Sequence, residues 1–85
     1  MIDATELRQQ VRAVLSIRAE DQTLAEGYIL AALQRFFPEK VKASEMQLAL
    51  QWNKARGWVE DRWNGDEERT EWLLTERGRI KEGVK

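Results

Sequence analysis

The spacing of the hydrophobic residues in this 85-residue chain changes at Gly57, and that change constrains the fold more than any other feature. Before Gly57 the apolar residues recur every three or four positions, which is typical of amphipathic helices. After it they alternate, and the aromatic-rich runs Trp58–Trp63 and Thr70–Leu74 predict two β-strands. A chain of this length has room for one domain at most. We therefore expect a single α+β domain over residues 1–85, with the helices first and a hairpin after them.

The first and third helices each begin with a capping signal. Asp3 with Glu6, and Ser44 with Gln47, have the spacing of a capping box, in which two side chains reciprocally accept backbone N–H groups. Gly57 has the left-handed freedom with which helices commonly end. The inward faces of these two helices are predicted to carry Leu7, Val11, Val14, Leu15, Met46, Ala49, Leu50 and Asn53.

The second helix is predicted to be the most buried of the three. It begins at Thr23, where Glu26 completes another capping box, or at Gly27, because a glycine inside a helix costs about 1 kcal/mol relative to alanine. Pro38 stops the helix near Phe37. Its apolar stripe is predicted to include Leu24, Ala25, Tyr28, Ile29, Ala31, Ala32, Leu33 and Phe36.

The hairpin is predicted to turn at Asn64-Gly65, which is the strongest short hairpin signal. A two-residue turn sets two pairs of opposite charge across the strands: Arg62 with Glu67 and Glu60 with Arg69. The same register sets Asp61 against Glu68, a like-charge pair, so a longer loop over Asn64–Glu67 is the alternative. The core-facing side of the hairpin is predicted to carry Val59, Thr70, Trp72 and Leu74.

Three helices, a two-stranded hairpin and a short final helical turn over Arg79–Glu82 form the order of a winged helix-turn-helix domain. The run Leu50–Val59 resembles the junction between recognition helix and wing in regulators of the ArsR and MarR type, where an apolar helix runs into a glycine, an apolar pair and charged wing residues. The run Trp72–Gly78 is similar to their second wing strand and the L-T-x-x-G that follows it. The chain departs from this pattern at Asn53, where an apolar residue is usual.

A second set of residues is similar to small ArsR-like proteins encoded by Mu-type phages: Gly27-Tyr28, Leu50, Trp52, Gly57 and Val59. Together the resemblances cover roughly residues 24–83. They imply a transcriptional regulator, phage-encoded, that reads duplex DNA as a dimer with its third helix, residues 44–56.

The residues expected to contact DNA lie on the outward face and at the ends of the third helix. Glutamine pairs bidentately with adenine and lysine with guanine, whereas basic residues at the helix ends meet phosphates. The predicted DNA-binding residues are Lys40, Lys42, Ser44, Gln47, Gln51, Lys54 and Arg56.

The charge of the hairpin favours a different function. Trp58–Thr75 holds six acidic residues and two arginines, a formal charge of −4, which repels a phosphate backbone. The alternative is therefore a winged-helix module that binds another protein, or a second copy of itself, and no DNA. Tryptophan is favoured at such contacts, and the predicted partner-binding residues are Leu48, Trp52 and Trp63. Leu48 and Trp52 are one helical turn apart, and a wide buried stripe explains that pair equally well.

Catalysis, metal binding and cofactor binding find no support in the composition. The sequence holds no cysteine and no histidine, which excludes disulfides, the usual zinc sites and Ser-His or Cys-His chemistry. We therefore expect no enzyme, no catalytic residue, no metal, no cofactor and no small-molecule ligand. The start Met1-Ile2-Asp3 lacks a signal-peptide pattern and no apolar run is long enough for a membrane span, so we expect a cytoplasmic protein without a membrane partner.

Overall fold

The computed structural model describes residues 2–18 and 22–83. Within these residues the elements are, in chain order, α1 Ala4–Ser16, β1 Leu24–Ala25, α2 Glu26–Phe36, α3 Ala43–Ala55, β2 Val59–Asn64, β3 Arg69–Leu74 and α4 Glu76–Glu82. The strands form an antiparallel sheet in the order β1-β3-β2. Helices before a hairpin were predicted, and this order is confirmed. The short strand β1 is an addition to it.

The core lies between α1, α2, α3 and one face of the sheet. Trp72 is 1% exposed, and its indole Nε1 donates to Glu26 Oε2 at 2.7 Å, so its polar atom is satisfied where α2 begins. The inward faces predicted for α1 and α3 are confirmed, because all of their members are buried. Around Trp72 the fully buried apolar side chains are Val11, Leu15, Ile29, Leu33, Val41, Leu50 and Val59.

The predicted start of α2 at Thr23 is wrong, because β1 forms there instead. Leu24–Ala25 pairs with β3, which satisfies backbone groups that a first helical turn would leave unpaired. The Thr23 hydroxyl donates to Glu71 Oε1 at 2.6 Å rather than capping a helix. The helix begins at Glu26, one residue before the alternative start at Gly27.

The stripe predicted for α2 is too wide. Ile29 and Leu33 are fully buried, but Tyr28 is 65% exposed, Phe36 is 51% exposed and Ala31 is exposed. The reason is that β1 takes Leu24 and Ala25 out of the helix, and α2 then contacts α1 and β3 through a narrow face.

The predicted cap of α3 at Ser44 is also wrong. The helix begins at Ala43 with Lys42 as its N-cap residue, and the Lys42 backbone N–H donates to Glu45 Oε1 at 2.9 Å. Glu45 thus plays the part that was predicted for Gln47, two residues nearer the start of the chain. Ser44 lies in the first turn of the helix and is exposed.

The two-residue turn predicted for the hairpin is wrong, and the longer loop is confirmed with a shift of one residue. Asn64 pairs with Arg69, which leaves residues 65–68 as the loop. The Asn64 side-chain oxygen accepts from the backbone N–H groups of Asp66 at 3.1 Å and Glu67 at 3.2 Å. An asparagine side chain that organises the loop in this way competes with the tight Asn-Gly turn.

The observed register changes the partners across the hairpin but keeps its faces. Val59 lies opposite Leu74 rather than Thr70, an even shift, so the same side of each strand still faces the core. The two predicted charge pairs are wrong, because Arg62 faces Glu71 and Glu60 faces Leu73. The predicted like-charge pair is relieved, since Asp61 now faces Trp72.

The final helix begins three residues earlier than predicted. The Thr75 side chain accepts from the Gly78 backbone N–H at 3.0 Å, which caps α4 and starts it at Glu76. Gly83 ends it with a left-handed φ of 72°. No helix within residues 2–18 and 22–83 is long and apolar enough to cross a membrane.

Candidate nucleic-acid interface

The connector between α2 and α3 fixes the position of α3. Val41 is 1% exposed, so the chain is anchored in the core two residues before α3 begins. The Val41 backbone N–H donates to Gln34 Oε1 at 3.2 Å, and the Gln34 amide donates back to the Val41 carbonyl. This pair of contacts fastens the connector to α2, and a rigid connector is what a helix needs to present one face reproducibly.

The outward face of α3 carries two polar residues, Ser44 and Gln51, and two apolar ones, Leu48 and Ala55. The buried residues of the helix are Met46, Ala49, Leu50 and Asn53. On the opposite side lie Ser44, Leu48, Gln51 and Ala55, all exposed, and Leu48 is 73% exposed. An exposed serine hydroxyl and glutamine amide on one helix face have the chemistry for contacts with base edges in a major groove.

The predicted DNA-binding residues occupy four places around α3. Ser44 and Gln51 lie on the outward face with half-buried Gln47 at its edge, and Lys40 and Lys42 are exposed in the connector. Lys54 lies on the side of the wing, the hairpin of residues 59–74, where its Nζ contacts Asp61 Oδ1 at 3.1 Å. Arg56 lies on the other flank, with its guanidinium 3.9 Å from the centre of the Trp52 ring.

The wing pairs part of its acidic charge internally. Arg62 contacts Glu60 at 3.2 Å, and Arg69 contacts Glu71 at 2.8 Å. Hydrogen bonds from the Thr23 hydroxyl, from Arg69 and from the Asn64 amide lower the pKa of Glu71 to about 2. The acidic residues of the loop, 66–68, are exposed, so the tip of the wing presents negative charge to any ligand.

A cluster of cations and tryptophans lies on the flank of α3 that holds Arg56. The rings of Trp52 and Trp58 are 5.7 Å apart and tilted by 59°. Arg8 lies 4.4 Å from the centre of the Trp52 ring, in addition to Arg56. Arg12 and Lys81 lie 4.9 Å and 5.0 Å from the centre of the Trp58 ring. We call these six residues the Trp52/Trp58 cluster.

Sequence reasoning missed most of this cluster. Arg8, Trp58 and Lys81 come from three separate parts of the chain, which meet only in the fold. One signal was available locally, because Trp52 and Arg56 are four residues apart on one helix and such pairs are neighbours on its surface. The same spacing relates Arg8 to Arg12 on α1.

The predicted partner-binding residues do not lie on one element. Leu48 and half-buried Trp52 are on α3, whereas Trp63 is on β2 beside the hairpin loop and is 68% exposed. Trp52 is covered by the guanidinium groups of the cluster, and so it is neither a core residue nor a bare aromatic surface.

Asn53 joins α1 to α3 inside the protein. It is fully buried, and its amide donates to the Arg8 carbonyl at 3.1 Å and to the Ala49 carbonyl at 2.9 Å. Its oxygen accepts from Arg12 Nη1 at 2.9 Å. Arg12 is 7% exposed, and its Nε lies 3.6 Å from a carboxylate oxygen of Glu82 on α4. The asparagine in an otherwise apolar position is therefore the partner of a buried cation.

Comparison with known proteins identifies the fold. No family model and no curated protein matches the sequence. Among solved structures, a transcriptional regulator of the MarR family from Silicibacter pomeroyi superposes with a TM-score of 0.71 at 22% identity, over 93% of this chain and 46% of that one. Lactococcus lactis ZitR, in an apo mutant form, superposes with a TM-score of 0.64 at 21% identity, over 95% of this chain and 58% of that one.

The chain thus spans about half the length of the solved structures it matches. At such low identity the likeness concerns the fold alone. The predicted fold is nevertheless confirmed, with β1 added to the sheet: this is an α+β chain with the winged helix-turn-helix fold.

Proposed function

We propose that this chain is the DNA-binding domain of a transcriptional regulator and that it reads duplex DNA with the outward face of α3. The observation that carries the proposal is the pair of exposed polar residues Ser44 and Gln51, with half-buried Gln47 at their edge, on a helix that is anchored at both ends. Its start is anchored by Val41, and its end is set by Gly57, whose φ is 76°. The MarR-family neighbour is described as a transcriptional regulator, which agrees with this function.

Several finer points belong to the same proposal. Residues 1–85 act as one winged-helix domain in the cytoplasm. A single module of this kind buries about 600–1,000 Å² on DNA, so a homodimer on two half-sites supplies the affinity that one copy lacks. The names of the two neighbours mention no phage, and a phage origin stays a prediction from the sequence resemblance.

The test begins with selection of a target from a pool of random duplexes, followed by anisotropy titrations on the selected site. Gln51→Ala is expected to weaken binding to that site about 5- to 150-fold, the equivalent of the 1–3 kcal/mol that one bidentate base contact contributes. Gln22→Ala, at another exposed glutamine far along the chain from α3, is the matched control and is expected to bind like the wild type.

Two results would contradict the proposal. One is the absence of any enriched duplex together with no binding at low ionic strength. The other is equal binding by Gln51→Ala and the wild type on every selected site. A protein-binding module predicts the first result, because the exposed Leu48 and Trp63 and the acidic wing would then serve a different partner.

A further inference from the structure

We propose that the Trp52/Trp58 cluster binds the phosphate backbone of duplex DNA beside the groove that α3 enters. This inference rests on the proposed function, and it adds Arg8 and Lys81 to the residues that contact DNA. It also assigns the flank on which the backbone lies. Trp52 and Lys54 are two positions apart, or about 200° around the helix, so the cluster lies on the flank opposite the wing-side contact of Lys54 with Asp61.

The tryptophan rings hold the guanidinium groups in place before any ligand binds. Arg8 and Arg56 lie 4.4 Å and 3.9 Å from the centre of the same Trp52 ring. A guanidinium that stacks on a ring uses its flat face, and its N–H donors at the edge remain suited to the paired oxygens of a phosphate. Because the side chains are already ordered, less conformational entropy is lost when the phosphate binds.

Lys81 is held in the cluster by the packing of α4. Gly78 approaches the chain so closely that an added Cβ would lie 2.0 Å from the Trp58 carbonyl oxygen. Glu82, on the same helix, contacts Arg12 at 3.6 Å. These two contacts fix α4 against Trp58 and Arg12, and Lys81 Nζ thereby lies 5.0 Å from the centre of the Trp58 ring.

The charges around the cluster favour phosphate over an acidic surface of protein. Four cations surround the two rings, and the one ion pair that they form within residues 2–18 and 22–83 is that of Arg12 with Glu82. Trp52 and Arg56 belong to α3 itself, so the cluster directly borders the face that carries Gln51. A helix in a major groove has a phosphate backbone on each side, and the cluster is where one of these backbones would lie.

The wing cannot attract the phosphate backbone of DNA in the same way. Its loop exposes the acidic residues 66–68, and its two arginines contact Glu60 and Glu71. In a winged-helix domain with an acidic wing, binding must gain its phosphate contacts elsewhere, because phosphate neutralisation supplies most of the affinity for DNA. The Trp52/Trp58 cluster fills that need.

The experiment uses anisotropy to measure the affinity for the selected duplex at salt concentrations between about 50 and 200 mM. The slope of log K against log salt is negative, and each lost phosphate contact makes it shallower by about 0.9. The double variant Arg8→Gln/Lys81→Gln is expected to make the slope shallower by about 2. The matched control, Arg62→Gln/Arg69→Gln, removes the same charge from the wing and is expected to leave the slope within about 0.5 of the wild type. Lys81→Gln alone, at an exposed position, is expected to make the slope shallower by about 0.9 and covers the case in which Arg8→Gln unfolds the protein.

The outcomes separate this inference from the proposed function. Binding by the wild type with equal slopes for the cluster and wing variants overturns the inference and leaves the function intact. No binding by the wild type at low salt overturns both. A poly-glutamate peptide is the second ligand. If the peptide binds, the DNA duplex does not bind and the cluster variants abolish peptide binding, then the cluster serves an acidic protein and the inference is overturned.

Discussion

Replacing Asn53 with leucine tests the buried link between α1 and α3. The side chains are similar in size, so Asn53→Leu fills the same space and removes the oxygen that accepts from Arg12 Nη1 at 2.9 Å. Arg12 stays buried, with a longer contact of 3.4 Å to the Arg8 carbonyl and the 3.6 Å contact to Glu82. The substitution therefore leaves the buried guanidinium of Arg12 without its shortest hydrogen bond.

The size of the effect follows from those contacts. A hydrogen bond to a charged group contributes about 1.5–3 kcal/mol, and a buried polar group without a partner costs about 1–3 kcal/mol. We expect Asn53→Leu to lower the free energy of unfolding by about 2–3 kcal/mol. A domain of 85 residues has about 4–13 kcal/mol in all, so a loss of this size is readily measured.

The assay is urea denaturation, with thermal melting as a check. Each 1 kcal/mol lowers the melting temperature of a domain of this size by about 4–8 °C. The double variant Arg12→Leu/Asn53→Leu is expected to be more stable than Asn53→Leu, because replacing both partners by apolar groups is often close to neutral. Asn53→Leu with the stability of the wild type would show that Arg12 does not depend on Asn53, and so would a double variant no more stable than the single one.

Two further predictions concern stability. Gly78→Ala is expected to destabilise the domain by about 3 kcal/mol or to prevent its folding, because the new Cβ would lie 2.0 Å from the Trp58 carbonyl oxygen. Gly27→Ala, inside α2 with no atom from beyond its own stretch of helix within 4 Å of the added Cβ, is expected to stabilise by about 0.5–1 kcal/mol. Urea denaturation of both variants checks this pair, and a tolerated Gly78→Ala would contradict the packing of α4. A third prediction concerns pH: the pKa of Glu71 is lowered from 4.5 to about 2, so its contribution to stability is present above pH 4.5 and is lost as the pH falls toward 2. The melting temperature of Glu71→Gln should fall less steeply than that of the wild type as the pH is lowered through this range. Equal dependence of the two melting temperatures on pH would show that Glu71 does not titrate in this way.

Local patterns predicted the parts of the fold that depend on neighbours along the chain. The inward faces of α1 and α3 follow from spacing alone, and the end of α3 follows from Gly57. The strand β1 could not be predicted in this way. Thr23 and Glu26 match a capping box, but Leu24–Ala25 pairs with β3, which lies more than forty residues away. A contact between distant segments overrode the local signal.

The site was predicted unevenly for the same reason. The outward face of α3 follows from the positions of its buried residues, and Gln51 was found in that way. The Trp52/Trp58 cluster joins α1, α3, the start of the wing and α4. Arg8 and Lys81 lie on different helices, so no spacing within one segment predicts that they share a surface. Only the packing of α1 and α4 brings them together.

Titration of a labelled duplex with the wild-type chain, repeated at rising salt, is the most direct measurement of whether this winged helix binds DNA. We expect binding at about 50 mM salt that weakens steadily toward 200 mM, because phosphate contacts release counterions. A flat anisotropy signal at the lowest salt, from a chain shown to be folded by its melting transition, would contradict it.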